Sequence, residues 1–282
     1  MDSGRAVLTR VLPAIAALAL WMPSPAAGQA PGEVDVPSVD WYYASVFGTG
    51  VYRAGERSVT VLRAPVAWRL PVGERRDWSA RLLLPVSIGW VDFGLESVIE
   101  EPLDSVSMLI FTPGVEFELP LARDWTLKPY LNAGGGVEFQ GDDSAWIYAA
   151  GLRARRALPC DAGECTFGAS LTWAAYHSSH YGRDDLTQLS LGLDLVGRRG
   201  PRWGGQQFRL GAFVVYRNYL EALDFVFDPL GIEPLDSEWE LGVTLNPERE
   251  LKILGLGIQR LGLGYRRGKG LRGLHLVTQF PF

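Results

Sequence analysis

Thr187-Gln188-Leu189-Ser190-Leu191-Gly192-Leu193-Asp194-Leu195-Val196 sets a leucine at every second position of a ten-residue run. An α-helix returns a side chain to the same face every three to four residues, whereas a strand does so every two. The four leucines therefore share one face of a strand, and Gln188, Ser190, Gly192 and Asp194 share the other. The same rhythm recurs upstream and downstream. Leu82, Leu84, Val86 and Ile88 oppose Arg81, Pro85, Ser87 and Gly89; Trp239, Leu241, Val243 and Leu245 oppose Glu238, Glu240, Gly242 and Thr244. The chain is all-β, with strands that are apolar on one face and polar on the other.

Working outward from these runs, the pattern predicts twelve strands near 41–52, 58–71, 78–92, 105–120, 125–139, 144–158, 165–177, 186–198, 206–219, 237–246, 253–267 and 271–282. Most are ten to fifteen residues long, which exceeds the usual strand of a soluble sheet and suits tilted strands crossing a hydrocarbon layer. The even-to-odd connections carry prolines and charges, as in Leu70-Pro71 to Trp78, Leu119-Pro120 to Trp125, Leu158-Pro159 to Cys165, and Asn246-Pro247. The opposite set includes the two longest connections, 93–104 and 220–236, both acidic. Trp41, Trp68, Trp78, Trp125 and Trp203 fall at the first end; Trp90, Trp146, Trp239, Tyr148, Tyr216, Tyr219 and Tyr265 fall near the second. Aromatic girdles at both ends mark strands that leave lipid on either side. With the apolar face outward, Gly89, Gly114, Gly134, Gly136, Gly151, Gly168, Gly192, Gly211, Gly242, Gly262, Gly264 and Gly273 point inward, where they relieve crowding. The expected fold is an antiparallel transmembrane β-barrel of about twelve strands over 41–282. The parity of the apolar residues slips between Leu254-Leu256-Ile258 and Leu261-Leu263-Tyr265, which a bulge near Gln259-Arg260 would reconcile.

The flanks and composition agree with export. Arg5 and Arg10 precede the apolar stretch Val11–Met22, followed by Pro23, Ser24, Pro25 and small residues to Ala30. That is the three-part layout of a secretory signal peptide over 1–30, too short to span a bilayer as a helix. Residues 31–40 form a short acidic periplasmic segment. Without residues 1–30 the chain carries 25 basic against 31 acidic residues, which disfavours nucleic acid as a partner. Cys160 and Cys165 flank a Pro/Gly/Asp-containing turn and read as a local disulfide of an exported protein; the pair lacks the further ligands of a zinc site. No metal or cofactor is implied.

In the last strand Leu274, Leu276, Thr278, Phe280 and Phe282 share the outward face, opposite His275, Gln279 and Pro281. An alternating strand closing on Phe282 resembles the C-terminal signal read by the outer-membrane assembly machinery of Gram-negative bacteria. Val46-Phe47-Gly48-Thr49-Gly50-Val51-Tyr52, Phe111 to Pro120 with Trp125-Thr126-Leu127-Lys128-Pro129, Ala145-Trp146-Ile147-Tyr148 and Phe280-Pro281-Phe282 further resemble the solitary autotransporter-type β-barrel family, which lacks a long passenger. The resemblance implies twelve strands and carries no catalytic residues. It implies as partners the outer-membrane lipid, periplasmic chaperones and the assembly machinery.

Inward charges are the most informative polar feature: Arg63, Arg69, Arg81, Glu116, Glu118, Lys128, Glu138, Arg153, Arg155, Asp194, Arg209, Arg217, Glu238, Glu240, Arg260 and Arg266. They point to a narrow or filled polar lumen, either a neutralising network that sets register or a channel for small solutes. An enzymatic alternative rests on His177 and Ser179, two apart at the end of strand 7, which resemble the His-x-Ser of outer-membrane phospholipase A. His180-Tyr181 depart from that family's Asn-Gly, and Thr187 stands where it has an orienting Asn. A third alternative is surface binding or adhesion through the acidic connections 93–104 and 220–236.

Overall fold

A computed structural model describes residues 48–54, 57–71, 77–91, 106–121, 124–139, 143–180, 182–203, 205–223, 235–249, 251–253 and 256–280. Among them twelve antiparallel strands form one closed sheet. They are β1 Gly50–Ala54, β2 Arg57–Leu70, β3 Ser79–Val91, β4 in two segments Met108–Phe111 and Gly114–Pro120, β5 Trp125–Glu138, β6 Ser144–Leu158, β7 Gly163–Ser178, β8 Gly182–Gly197, β9 Gln206–Leu223, β10 Leu235–Pro247, β11 Leu261–Gly268 and β12 Leu271–Val277. Each pairs with its neighbours in sequence, and β12 returns to β1 with Gly50 opposite His275 and Ala54 opposite Leu271. Among the described residues every one of the twelve strands has a neighbour on both sides. The end holding connections 92–105 and 224–234 is called the loop end, and the other the turn end.

Alternation decides which side each residue takes. On β8, Leu189, Leu191, Leu193 and Leu195 are 37–49% exposed, while Gln188, Ser190 and Asp194 are buried. Leu62, Leu131, Leu152, Leu171, Leu210, Leu241, Val243, Leu261, Leu263 and Leu274 carry the same outward apolar surface around the rest of the wall. A water-soluble protein does not expose so continuous an apolar band. With polar side chains inside and leucines outside, the wall is inverted relative to a soluble core, and the molecule is a transmembrane β-barrel. Trp68, Trp203 and Phe117 are exposed at the turn end, and Trp146, Tyr148 and Trp239 at the loop end. Trp41 lies outside the described residues. Trp90 sits at the loop end but is buried, and Tyr219, expected in the girdle, is on the lumen parity of β9 with Phe213, Val215 and Arg217 and is 3% exposed.

Two expectations about strand limits, and one about a bulge, are corrected. Residues 253–260 do not belong to β11: Leu251–Ile253 and Leu256–Ile258 pair with each other in a separate hairpin. The slip of parity near Gln259 therefore marks a change of element rather than a bulge. As a result the connection after Asn246-Pro247 is longer than a tight turn. The last strand ends at Val277 rather than running on to Phe282, which lies outside the described residues. Cys160 and Cys165 are disulfide-bonded, closing the turn between β6 and β7 with a Cα separation of 5.7 Å.

The inward glycines act as floors for large lumen side chains. Tyr52 faces Gly273, Phe213 faces Gly242, Tyr130 faces Gly151 and Met108 faces Gly89 across the strand pairs. A Cβ on Gly242 would stand 2.3 Å from the Phe213 ring, and one on Gly151 2.5 Å from that of Tyr130. Ring and glycine together fill a cross-strand position that two side chains could not share.

Candidate functional site

The lumen has two halves of different chemistry. At the loop end Tyr52, Val59, Val61, Met108, Ile110, Ala145, Ile147, Ala174, Leu186, Tyr219, Leu235 and Leu271 form one contacting cluster, each at most 5% exposed. These residues come from nine of the twelve strands, so the cluster reaches across the bore. Sequence reasoning expected a polar lumen throughout and missed this apolar plug. Its signal was present in runs apolar on both parities, Met108-Leu109-Ile110-Phe111 and Ala145-Trp146-Ile147-Tyr148, because a strand buried on both faces loses its alternation.

Below the plug lies a network of buried charge. The Glu240 carboxylate is fully buried and accepts from Arg266 Nε at 3.0 Å and His275 Nδ1 at 2.8 Å, and pairs with Arg217 Nη2 at 2.7 Å. Glu238 pairs with the same two arginines, at 3.2 Å to Arg217 and 3.6 Å to Arg266. Arg260, on the approach to β11, reaches across the bore to hold Asp194 bidentately at 2.7 Å. On the opposite wall Glu116 is shared between Arg81 and Arg153, the latter at 2.7 Å, and Lys128 donates to Glu118 at 3.0 Å. Such pairs persist out of water only when each carboxylate is met by well-placed donors.

Toward the turn end this network borders a cavity of about 320 Å³. Arg63, Arg81, Arg153, Arg155, Arg217 and Arg266 line it, with Glu116 as the acid among its lining residues. Tyr130 anchors one side through a 2.8 Å hydrogen bond with Thr172, and the Arg153 guanidinium lies 4.1 Å above its ring. The chain beyond Val277 bends inward: the Phe280 ring lies 3.9 Å from the Arg155 guanidinium and 5.3 Å from that of Arg260, and packs beside Phe213, Val215 and Val277. Phe280 was expected on the outward face; the strand has ended by then, so its parity no longer applies. Leu274 is outward and 57% exposed, and Leu276 pairs with Leu263 on the same face.

The remaining expected lumen charges also lie on the inner parity. Glu138 is buried at the loop end, Arg209 meets Glu164 at the turn end, and Arg69 pairs in register with Arg81 at the exposed mouth. The expected pair His177 and Ser179 is not assembled. β7 ends at Ser178, so Ser179 falls in the turn while His177 stays exposed on the outward parity. Ser179 Oγ instead donates to Asp143 at 2.6 Å, Ser178 Oγ donates to the same carboxylate at 2.7 Å, and the Ser144 amide donates at 2.8 Å. His180 Nδ1 lies 3.3 Å from Asp143 and 3.2 Å from Ser179. A charge-relay arrangement sets imidazole between carboxylate and hydroxyl, using both ring nitrogens. Here the carboxylate accepts from the hydroxyl directly and one nitrogen faces both, so the group ties two hairpins together. Burial alone would raise the Asp143 carboxyl; the hydrogen bonds from Ser179, Ser178, His180 and the Ser144 amide outweigh it and hold the carboxyl below the ordinary aspartate range. The acidic connections fall largely on residues outside those described.

No family model matches the chain, and no curated protein matches it. Similar solved structures exist. One is the β domain of the Bordetella autotransporter BrkA, at 14% identity and a TM-score of 0.48, over 81% of this chain and 94% of that one. Another is the KdgM porin, solved alone and with disordered oligogalacturonate, at 10% identity and a TM-score of 0.37, over 80% of this chain and 95% of that one. At these identities no residue's role carries over.

Proposed function

We propose that the protein is an outer-membrane β-barrel of the autotransporter-like or porin-like type that acts without enzymatic chemistry, as a scaffold with a blind, basic recess rather than an open conduit. One observation carries this reading: the loop-end cluster joins side chains from nine strands across the bore, beside the charged cavity. Export by the N-terminal segment and insertion by periplasmic chaperones and the outer-membrane assembly machinery belong to the same proposal. The outward leucine band and two aromatic ends support the membrane placement. The six arginines lining the recess favour a small anionic solute as its occupant over a cation.

Conductance of the refolded barrel in a planar bilayer tests it. Wild type is expected to be silent, and Ile147→Gly combined with Leu186→Gly, which removes two plug side chains, is expected to give discrete anion-selective steps. Stable steps from the wild type would overturn the blind-recess reading.

A further inference from the structure

The outward face at the loop end carries charge that meets no acidic partner among the described residues. Along β1, β11 and β12 the residues Tyr52, Arg266 and Leu271 point into the lumen, so Arg53, Arg267 and Arg272 point outward, and all three are exposed. Arg272 is the register partner of both Arg53 and Arg267. Three guanidiniums therefore stand in one row across three neighbouring strands. Side chains directly opposed in a sheet lie about 5 Å apart at Cβ, and like charges so placed are destabilising. In the lumen Arg217, Arg260 and Arg266 each meet a carboxylate, and even the exposed Arg156 pairs with Asp124 at 2.9 Å. Among the described residues no carboxylate pairs with Arg53, Arg267 or Arg272.

The height of the row says what would neutralise it. Arg267 is the register partner of Trp239, which is 56% exposed with its ring centroid 4.8 Å from that of Tyr216, an aromatic pair at the loop-end girdle. Two residues nearer the middle, Leu274 pairs with Tyr265, and beyond them Leu276 pairs with Leu263, in the apolar band. The arginines thus stand about 7 Å along the strands from the edge of that band, at two residues of about 3.4 Å each, or roughly 5 Å in height at a strand tilt of about 40°. This is where hydrocarbon gives way to headgroups. Guanidinium forks match phosphate oxygens bidentately and are weakly hydrated, which suits them to a partly desolvated phosphate site.

We infer that Arg53, Arg267 and Arg272 form a docking site for the phosphorylated headgroup of a lipid in the leaflet at the loop end. The inference rests on the barrel being membrane-inserted. The test is native mass spectrometry of the refolded full-length protein, after its heat-modifiable shift in a detergent gel has been recorded. The probes are a bis-phosphorylated lipid A, the same glycolipid after phosphatase treatment, phosphatidylcholine, and inorganic phosphate. Each arginine near a charged membrane surface contributes roughly fivefold to lipid affinity. Bis-phosphorylated lipid A is expected to bind the wild type with the other probes retained weakly, and R53S/R267S/R272S is expected to bind it about a hundredfold less. The single variant R272Q, which leaves most of the strand pair intact, is expected to fall about fivefold. Equal binding of bis-phosphorylated lipid A by wild type and either variant overturns the site, as does equal retention of the dephosphorylated glycolipid. Tight binding of inorganic phosphate alone also overturns it, by making the row a solute site. A wild type without heat-modifiable migration overturns the membrane reading and this inference with it.

Discussion

Replacing Glu240 by glutamine removes one charge and almost no volume from the most buried ionic cluster of the lumen. Its carboxylate is fully buried and sits within 3.0 Å of donors on Arg217, Arg266 and His275. Two arginines then share Glu238 alone, at 3.2 and 3.6 Å. An ion pair at such separations is worth roughly 4 kcal/mol at an effective dielectric of 20, partly offset because the carboxylate no longer needs desolvating. Breaking a buried pair from one side typically costs about 3–5 kcal/mol, and E240Q is expected to fall in that range. The double variant E240Q/R266Q restores the balance between Arg217 and Glu238 and is expected to be more stable than E240Q, a coupling of opposite sign to the single effect. The assay is urea unfolding in lipid vesicles, followed by tryptophan fluorescence and by the folded band in unheated gels. Loss of less than about 1 kcal/mol in E240Q, or strict additivity in the double variant, would show that the cluster does not hold the barrel by charge.

Two further outcomes follow from the geometry. Gly242→Ala would place a Cβ 2.3 Å from the Phe213 ring and 2.7 Å from the Leu263 carbonyl, and overpacking of this kind is expected to cost about 1–3 kcal/mol in the same unfolding assay, partly recovered by Phe213→Ala. Asp143 has a folded carboxyl held below its unfolded value of about 3.9, so its contribution is present above that pH and is lost as pH falls through the lower folded value; hydrogen exchange in the turn at Ser178–His180 is expected to accelerate on acidification in wild type and to show a flatter acid limb in Asp143→Asn.

The barrel was legible because a membrane wall obeys one rule at every position. Leu189 to Leu195 and their counterparts face lipid for the whole width of the band, so parity alone assigns Arg81, Glu116, Glu238 and Glu240 to the lumen. Pairing was not legible. That Glu116 serves Arg81 and Arg153 together, or that Arg260 crosses to Asp194 over 66 residues of chain, depends on strand tilt and side-chain reach. Parity also fails wherever a strand stops. Ser179 and Phe280 both lie just past strand ends, and both turn to partners that alternation did not indicate, Asp143 for one and the Arg155 guanidinium for the other.

The two halves of the lumen explain each other. Tyr219 and Leu271 of the plug stand two residues toward the loop end from Arg217 and Gly273 of the ionic layer, on the same strands and the same face. Charges beside an apolar plug are poorly solvated, which is why Glu238 and Glu240, the most buried acids among the described residues, are each met by arginine from two directions. At the turn end, where solvent enters, Glu164 is 66% exposed at its side chain and meets the single partner Arg209. Between the ionic layer and Glu164, neutralisation thus follows burial. A conducting pore would need polar walls wetted along the whole bore; under the proposed blind-recess reading the bore is wetted from one end, and the arginines of the recess face the anion that enters there.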